Sequence, residues 1–170
     1  MNKKLVESYY AAWNTLDADN PASFYAKDAK LVFFDLTPLK YNGWAEYKEG
    51  VQKAFFDQIS SGKLTPNDDL KITRRGDVAW MTLTFHLSFA LKTGTAMEID
   101  CRHTAIWEKR RGKWLIVHET RIGADPNWHV SYPAALRLKR GEISSVVAFL
   151  EPRPRRRRGR HHPRLENPRG

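Results

Sequence analysis

The sequence predicts an α+β fold in which helices come first and an antiparallel sheet follows. Apolar residues recur at helical spacing in two segments before residue 60, and Asn20-Pro21 between them is a helix start signal. After Asp69 the pattern changes to alternating apolar and polar residues, as in strands that bury one face. Because the helices and the strands are segregated along the chain, we expect a sheet that curls around helices packed on one side.

The composition indicates one domain with a real core, since 41% of the 170 residues are hydrophobic and 12% are aromatic. The single cysteine, Cys101, excludes an intrachain disulfide and is expected inside the fold. The N-terminal residues lack the apolar run of a signal peptide, and no segment is suited to span a membrane. We therefore expect a cytoplasmic protein that makes no membrane contact.

The net charge of +10 is concentrated near the C-terminus, where residues 137–170 carry +8 and residues 1–136 only +2. The segment 151–170 is rich in arginine and proline and cannot pack a core, so it is predicted to be a disordered tail. Contact with nucleic acid or another polyanion is the less favoured alternative, because no aromatic residue is interleaved to stack on bases.

Three helices are predicted before the sheet. Residues 3–16 form the first, and Asn20-Pro21 begins a short second helix that runs through Tyr25. The third is predicted from Trp44 to Ile59, because its apolar residues follow helical spacing and Ser61-Gly62 would end it.

The predicted strands alternate regularly. Leu31–Asp35 is a short first strand, and residues 70–73 pair across a turn at 75–77 with the long strand Val78–Leu91. In that long strand the odd-numbered residues are predicted to form the inner face.

Residues 97–123 are predicted to form a β-hairpin that carries the candidate site. Arg110-Arg111-Gly112 suits a three-residue loop, with the glycine at positive φ. This loop would pair Trp107 with Leu115, Ala105 with Val117, His103 with Glu119, and Cys101 with Arg121. The shared face would then be mainly apolar and inward, with three polar side chains: His103, Glu119 and Arg121.

The outer face of the sheet is predicted to be apolar as well. It would carry Trp80, Ile106, Trp114 and Ile116 together with His118. A patch of that size is typical of a covered surface, so we expect a homodimer formed through this face. The alternative is that the strands bend and these side chains form a local cluster.

Four stretches resemble the SnoaL-like branch of the nuclear-transport-factor-2-like (NTF2-like) superfamily, which also includes ketosteroid isomerases: ESYYAAWNTLDADN, FYAKDAKLVFFD, NGWAEYKEG and RHTAIWEKRRGKWLIVHETRIG. The last is also similar to the association domain of calcium/calmodulin-dependent protein kinase II, through Thr104, Trp107, Gly112–Trp114 and Val117-His118. The resemblance covers about residues 5–126. We expect a SnoaL-like domain at 1–126, a C-terminal extension at 127–150 and the tail at 151–170.

The resemblance implies a cone-shaped fold, in which a strongly bent antiparallel sheet wraps around three N-terminal helices and leaves a ligand pocket at the wide end. Arg121 aligns with a pocket arginine of the association domain. Two further pocket arginines of that domain align with Ala105 and Phe85, so an arginine-rich pocket is not reproduced.

The inward polar residues suggest a site. His103 and Glu119 are the predicted catalytic acid–base pair, able to move a proton on a carbon next to a carbonyl. Arg121 would bind a carboxylate or an enolate, and Asp35 would supply a second carboxylate. The remaining predicted ligand-binding residues form an aromatic and apolar wall: Tyr9, Tyr10, Trp13, Phe85, Leu87 and Trp107.

These observations predict a pocket protein for a small apolar or carbonyl-bearing ligand. If it is an enzyme, isomerase, cyclase or dehydratase chemistry by proton transfer is expected. Ligand binding without chemistry, a purely structural polar network, and a homo-oligomerisation module without catalysis stay open as alternatives. No cofactor is predicted because no nucleotide fingerprint appears, and no metal because the inner face lacks closely spaced histidines.

Overall fold

The structure is a computed structural model that describes residues 1–36 and 40–123. The predicted extension at 127–150 and the predicted tail at 151–170 lie outside the described residues. None of the described helices is long and apolar enough to cross a membrane.

Two α-helices and two 3₁₀ helices are present in the described part of the chain. Helix α1 spans Lys3–Trp13, and its first turn is capped by the Asn2 side chain, which accepts a hydrogen bond from the Leu5 backbone N–H at 3.0 Å. A 3₁₀ helix at Asn20–Phe24 begins at the predicted position. Helix α2 spans Gly43–Ala54, and a second 3₁₀ helix covers Phe56–Gln58.

The predicted end of the third helix was wrong. Phe55 leaves the helical conformation at φ −127°, and Ile59 begins a strand that the sequence analysis did not predict. The first helix is also shorter than predicted, since α1 ends at Trp13 and Leu16 adopts a positive φ of 58°. The segment 55–59 is rich in apolar residues, which fit a helix as well as a buried turn or strand.

Seven strands form one sheet: β1 Val32–Phe34, β2 Tyr41–Asn42, β3 Ile59–Pro66, β4 Lys71–Arg75, β5 Val78–Leu91, β6 Ala96–Arg110 and β7 Lys113–Gly123. Their order is β2-β1-β7-β6-β5-β3, with β4 also paired to β5. All pairs are antiparallel except β1 with β7, which run parallel. The predicted α+β class with a strongly curved sheet is confirmed.

The inner face of β5 is the predicted one. Its odd-numbered residues from Ala79 to Leu91 are all buried in the core. They pack beneath α1 and α2, whose buried residues are largely aromatic: Tyr9, Tyr10, Trp13, Trp44 and Tyr47. The core therefore lies between the sheet and these two helices.

The predicted register of the β6–β7 hairpin was wrong. The turn has two central residues, Arg111 at φ 48° and Gly112 at φ 83°, so Arg110 pairs with Lys113. A β-bulge follows, because Trp107 pairs with Ile116 whereas Ile106 pairs with His118. The extra residue, Val117, has no partner in the register.

The turn and the bulge together change the predicted pairs by two residues. His103 lies opposite Arg121, Ala105 opposite Glu119, and Cys101 opposite Gly123. Because a shift of two residues restores the alternation, all three polar side chains still face the interior, as the predicted inner face requires.

The outer face differs from the prediction at Ile116, which is fully buried because the bulge turns it inward. Trp80 and Ile106 do lie outside, directly opposite each other and each 37% exposed. Trp114 is half-buried, and the half-buried His118 donates from Nδ1 to the Val32 carbonyl oxygen at 2.7 Å.

Candidate functional site

Glu119 lies at the centre of a buried polar network. Three tyrosine hydroxyls donate to its carboxylate: Tyr9 at 2.7 Å, Tyr25 at 2.7 Å and Tyr47 at 2.5 Å. His103 Nε2 lies 3.3 Å from the same carboxylate. These donors come from α1, the residue that follows the first 3₁₀ helix, α2 and β6, so the network holds the helices against the sheet.

The surroundings of Glu119 keep it ionised. Burial raises its pKa, but the Arg121 charge and the hydrogen bonds from His103 and Tyr47 outweigh burial and hold the pKa well below its usual range. A carboxylate with so low a pKa is a weak base. Its oxygens are also occupied by donors, so Glu119 is built to hold a charge rather than to exchange a proton.

His103 is a neutral, positioned imidazole. Burial lowers its pKa, and the Glu119 hydrogen bond offsets only part of that effect. Its Nδ1 lies 2.9 Å from the Tyr10 hydroxyl, and its Nε2 faces the Glu119 carboxylate. Since an ionised carboxylate only accepts, we assign the proton to Nε2, and Nδ1 accepts from Tyr10.

Arg121 connects the network to a pocket. Its guanidinium lies 4.7 Å from the Trp13 ring centroid and donates to the Tyr9 hydroxyl. Its distances to Asp35 Oδ2, 3.4 Å, and to Glu119 Oε1, 3.5 Å, are long for charged pairs. No hydrogen-bond partner for its Nε occurs in the described part of the chain. Burial lowers its pKa, but the nearby Glu119 carboxylate outweighs that effect and keeps it charged.

Asp35 follows the last residue of β1 and is the partly accessible acid of the cluster, with a side chain 10% exposed. Its Oδ1 accepts from the Leu36 backbone N–H at 2.7 Å, and its Oδ2 lies 2.6 Å from the Tyr47 hydroxyl. Burial raises the pKa of Asp35, and the Arg121 charge reverses only part of that shift. The group thus has the perturbed titration expected of an acid–base residue.

A small pocket of about 60 Å³ lies beside Asp35 and Arg121. Two more of the predicted wall residues line it, Trp13 and Phe85. The rest of its wall is almost entirely apolar and comes from the β1–β2 region, α2, the second 3₁₀ helix with the residue before it, and β3: Leu36, Tyr41, Val51, Ala54, Phe55, Phe56 and Leu64. Drug-sized ligands occupy about 300–1,000 Å³, so this pocket suits a smaller molecule.

A sequence model of the family described as SnoaL-like domain matches residues 3–121. The chain belongs to this family. No curated protein matches it.

Solved structures show that the SnoaL-like chain has an NTF2-like fold. It is similar to an NTF2-like superfamily protein from Salmonella enterica serovar Typhimurium, with a TM-score of 0.65 and 17% identity over 69% of this chain and 84% of that one. A type 2 hexachlorocyclohexane dehydrochlorinase gives a TM-score of 0.61 and 12% identity over 71% and 83%. The association domain of C. elegans CaMKII gives 0.53 and 17% over 70% and 90%. At these identities the likeness shows the fold.

The structure of this SnoaL-like domain divides the predicted site residues into two groups. The pocket is lined by Trp13, Asp35, Phe85 and Arg121. The remaining six are buried and do not line it: Tyr9, Tyr10, Leu87, His103, Trp107 and Glu119.

The sequence analysis missed Tyr25 and Tyr47 as partners of Glu119. Tyr47 lies among the apolar residues of the predicted third helix and Tyr25 at the end of the predicted second helix, and neither was assigned a polar partner. A hydroxyl on a residue of a buried stripe needs a partner, and that requirement is the signal that could have identified them. The described residues contain no group of three or more histidine, cysteine, aspartate or glutamate side chains that could hold a metal ion.

Proposed function

We propose that this SnoaL-like domain binds a small, mainly apolar carbonyl compound in the pocket beside Asp35 and Arg121, and that it transfers a proton on that compound. The observation that carries the proposal is an acid and a cation side by side in an otherwise apolar pocket. The raised pKa of Asp35 supports it, because perturbed carboxyl groups in pockets are typical of acid–base sites.

Asp35 and Arg121 would divide the chemistry between them. Asp35 is placed to exchange the proton, and Arg121 to polarise the carbonyl group by donating a hydrogen bond to its oxygen. Arg121 is positively charged, and its Nε has no partner within the described residues. This arrangement fits reactions of the isomerase, cyclase or dehydratase type, which pass through an enol or enolate.

His103 and Glu119 would act as positioning residues for this pair. The predicted role of these two residues as the catalytic acid and base stays a prediction. Both side chains are fully buried and contact other protein groups on every polar atom. By holding Tyr9 and Tyr47, the Glu119 carboxylate fixes the partners of Arg121 and Asp35.

The test is hydrogen exchange on model ketones of increasing size. Acetone, cyclopentanone and cyclohexanone would be incubated with the protein in D2O, and NMR would follow loss of the protons next to the carbonyl. Binding would be read from the indole N–H signal of Trp13, which lines the pocket. We expect exchange catalysed by the protein, reduced about 10²–10⁴-fold in Asp35→Asn.

The matched control is Asp77→Asn, a change of the same kind in an exposed turn between β4 and β5. It should leave exchange and binding unchanged. Equal exchange rates in Asp35→Asn and the wild type would contradict the role of Asp35. If none of the three ketones perturbs the Trp13 signal, the pocket is not the site for such compounds.

A second candidate function is association between copies of the chain. It is supported by Trp80 and Ile106, which face each other on the outer face of the sheet and are each 37% exposed. Ile122 on the same face is 51% exposed. One of the similar structures is an association domain, which accords with this alternative.

Light scattering tests the association. We expect the full chain to be a dimer and Ile106→Lys to be a monomer, because a charge at the centre of an apolar interface opposes burial. Thr65→Lys introduces the same charge at an exposed position on β3 and should remain dimeric. A wild-type monomer at every concentration would exclude this function.

A further inference from the structure

We infer that Tyr47 joins Asp35 and Glu119 through a hydrogen-bonded chain that contains one additional proton, so that the Asp35 carboxyl in the pocket is a carboxylic acid. Tyr47 is then a positioning residue that sets the starting protonation state of the site. The inference deepens the proposed function and rests on it for the direction of proton transfer, but the proton itself belongs to the protein alone.

A count of hydrogen atoms leads to this inference. The Tyr47 oxygen lies 2.5 Å from Glu119 Oε1 and 2.6 Å from Asp35 Oδ2. Both distances are those of strong O–H···O hydrogen bonds. A tyrosine hydroxyl has one hydrogen, and ionised carboxylates have none to donate. If both acids were ionised, one of the two contacts would bring two oxygens together without a hydrogen between them.

The additional proton belongs to Asp35 and not to Glu119. The Glu119 carboxylate also accepts from Tyr9 and Tyr25, each at 2.7 Å, so further donors already surround it. Among the described residues Asp35 Oδ2, in contrast, has besides Tyr47 only a long contact of 3.4 Å to Arg121. Asp35 therefore donates to Tyr47, and Tyr47 donates to Glu119.

The charges around Asp35 agree with this assignment. The titratable groups that face it are Tyr10 from α1, Tyr41 from β2, Tyr47 from α2, Cys101 and His103 from β6, and Glu119 and Arg121 from β7. Burial raises the pKa of the three tyrosines and raises the pKa of Cys101 to about 12, so these groups are neutral.

Burial also lowers the pKa of His103 and leaves it neutral. One negative charge and one positive charge remain, on Glu119 and Arg121. They offset each other, and ionising Asp35 would leave a buried excess of negative charge.

It follows that Asp35 carries a proton before the ligand reacts and can act as an acid. In the proposed reaction the O–H bond of Asp35 breaks and an O–H bond forms on the carbonyl oxygen of the ligand. The negative charge stays on Asp35, and the Tyr47 hydroxyl can turn from Glu119 to donate to it. The Asp35 carboxylate left by this step then takes a proton from the carbon next to the carbonyl, so that a C–H bond breaks, the Asp35 O–H bond forms again and the ligand becomes an enol. Tyr47 thereby serves both protonation states of Asp35 with a single rotation of its hydroxyl.

Infrared spectroscopy of the protein without ligand tests the inference. At neutral pH ordinary aspartates and glutamates are ionised, so a carboxylic-acid C=O band that moves to lower frequency in D2O would report the additional proton. We expect this band in the wild type and in the control Asp77→Asn, and its loss in Asp35→Asn. In Tyr47→Phe the band should move to higher frequency, because the acid loses its hydrogen-bond acceptor.

Either of two results would overturn the inference: a wild type without the band, or the same band retained in Asp35→Asn. A band that does not move in Tyr47→Phe would remove Tyr47 from the proton chain. Because no ketone is present, the result is separate from the exchange assay. If the band is present but no ketone exchange occurs, the inferred proton stands and the proposed function is refuted. If exchange occurs without the band, the proposed function stands and the inferred proton is refuted.

Discussion

Replacing Glu119 by glutamine preserves the shape of the side chain and removes its charge, which makes it a direct test of the buried network. The carboxylate balances the Arg121 guanidinium, which is only 5% exposed. Removing one partner of a buried ion pair costs about 3–5 kcal/mol, since the Arg121 charge is left buried without compensation as long as the neighbouring Asp35 keeps its proton.

The loss of hydrogen bonds to the carboxylate also lowers the free energy of unfolding. The amide NH2 of glutamine would face donors that now point at a carboxylate oxygen. An unsatisfied buried hydroxyl costs about 1–3 kcal/mol, but the Tyr9 hydroxyl lies 3.0 Å from that of Tyr25 and can donate to it instead. The charge effect therefore dominates, and we expect Glu119→Gln to lower the free energy of unfolding by about 3–5 kcal/mol.

Urea unfolding followed by tryptophan fluorescence measures this loss. With a slope of about 2 kcal/mol per molar urea, the midpoint should fall by about 2 M while the slope stays the same. Glu49→Gln is the matched control, because Glu49 is exposed on α2 and pairs with the exposed Lys53, and its midpoint should not move. A loss below about 1 kcal/mol in Glu119→Gln would refute the argument that this carboxylate holds a buried charge in place.

Three further predictions concern other parts of the molecule. Because burial lowers the pKa of His103, the unfolded chain binds a proton that the folded chain does not bind below pH of about 6.5. The free energy of unfolding should therefore fall as the pH drops through that value, and urea titrations should show a weaker fall in His103→Asn. A Cβ on Gly50 would lie 2.0 Å from Tyr41 Cε1, so Gly50→Ala should destabilise by about 1–3 kcal/mol in thermal unfolding, against the usual gain of alanine in a helix. Arg111 adopts φ 48° before Gly112, so Arg111→Asn should raise stability by up to about 1 kcal/mol in the same assay.

The strand faces could be predicted from the sequence because alternation is strict where one face is buried. In β5 the odd-numbered residues are buried throughout, and strand boundaries at Val78 and Leu91 were predicted correctly. Strand β3 could not be predicted in this way. Its residues include Ser60, Ser61 and Gly62, which favour a turn, and its place in the sheet is fixed by pairing with β5.

The pocket was harder to predict than the polar cluster. His103, Glu119 and Arg121 stand out as polar residues on an apolar face, and their inward position follows from alternation alone. Which of these side chains lines the pocket depends on how α2 and the second 3₁₀ helix pack over the sheet. That packing is tertiary structure, which the local sequence pattern does not determine. Asp35 was therefore named as a secondary carboxylate, although it is the acid that lines the pocket.

The bulge in β7 links the register error to the site. Leu115, Ile116 and Val117 are consecutive apolar residues, so alternation cannot fix the phase within them. Without the bulge, the turn at Arg111-Gly112 would bring the positions after it into the opposite phase.

In that opposite phase Ile122 would face the core, and Glu119 and Arg121 would face water, where charges are least costly. The actual strand does the reverse. It exposes 51% of Ile122 and buries both charges. Hydrophobic burial alone would not select this phase, so the tyrosines, His103 and Asp35 that surround the two charges must supply the compensation. Bulges of this kind are common beside active sites, because they change the direction of a particular side chain and disrupt the strand pairing only locally. The phase of β7 is therefore an argument, independent of the pocket, that the buried pair of Glu119 and Arg121 serves the proposed function.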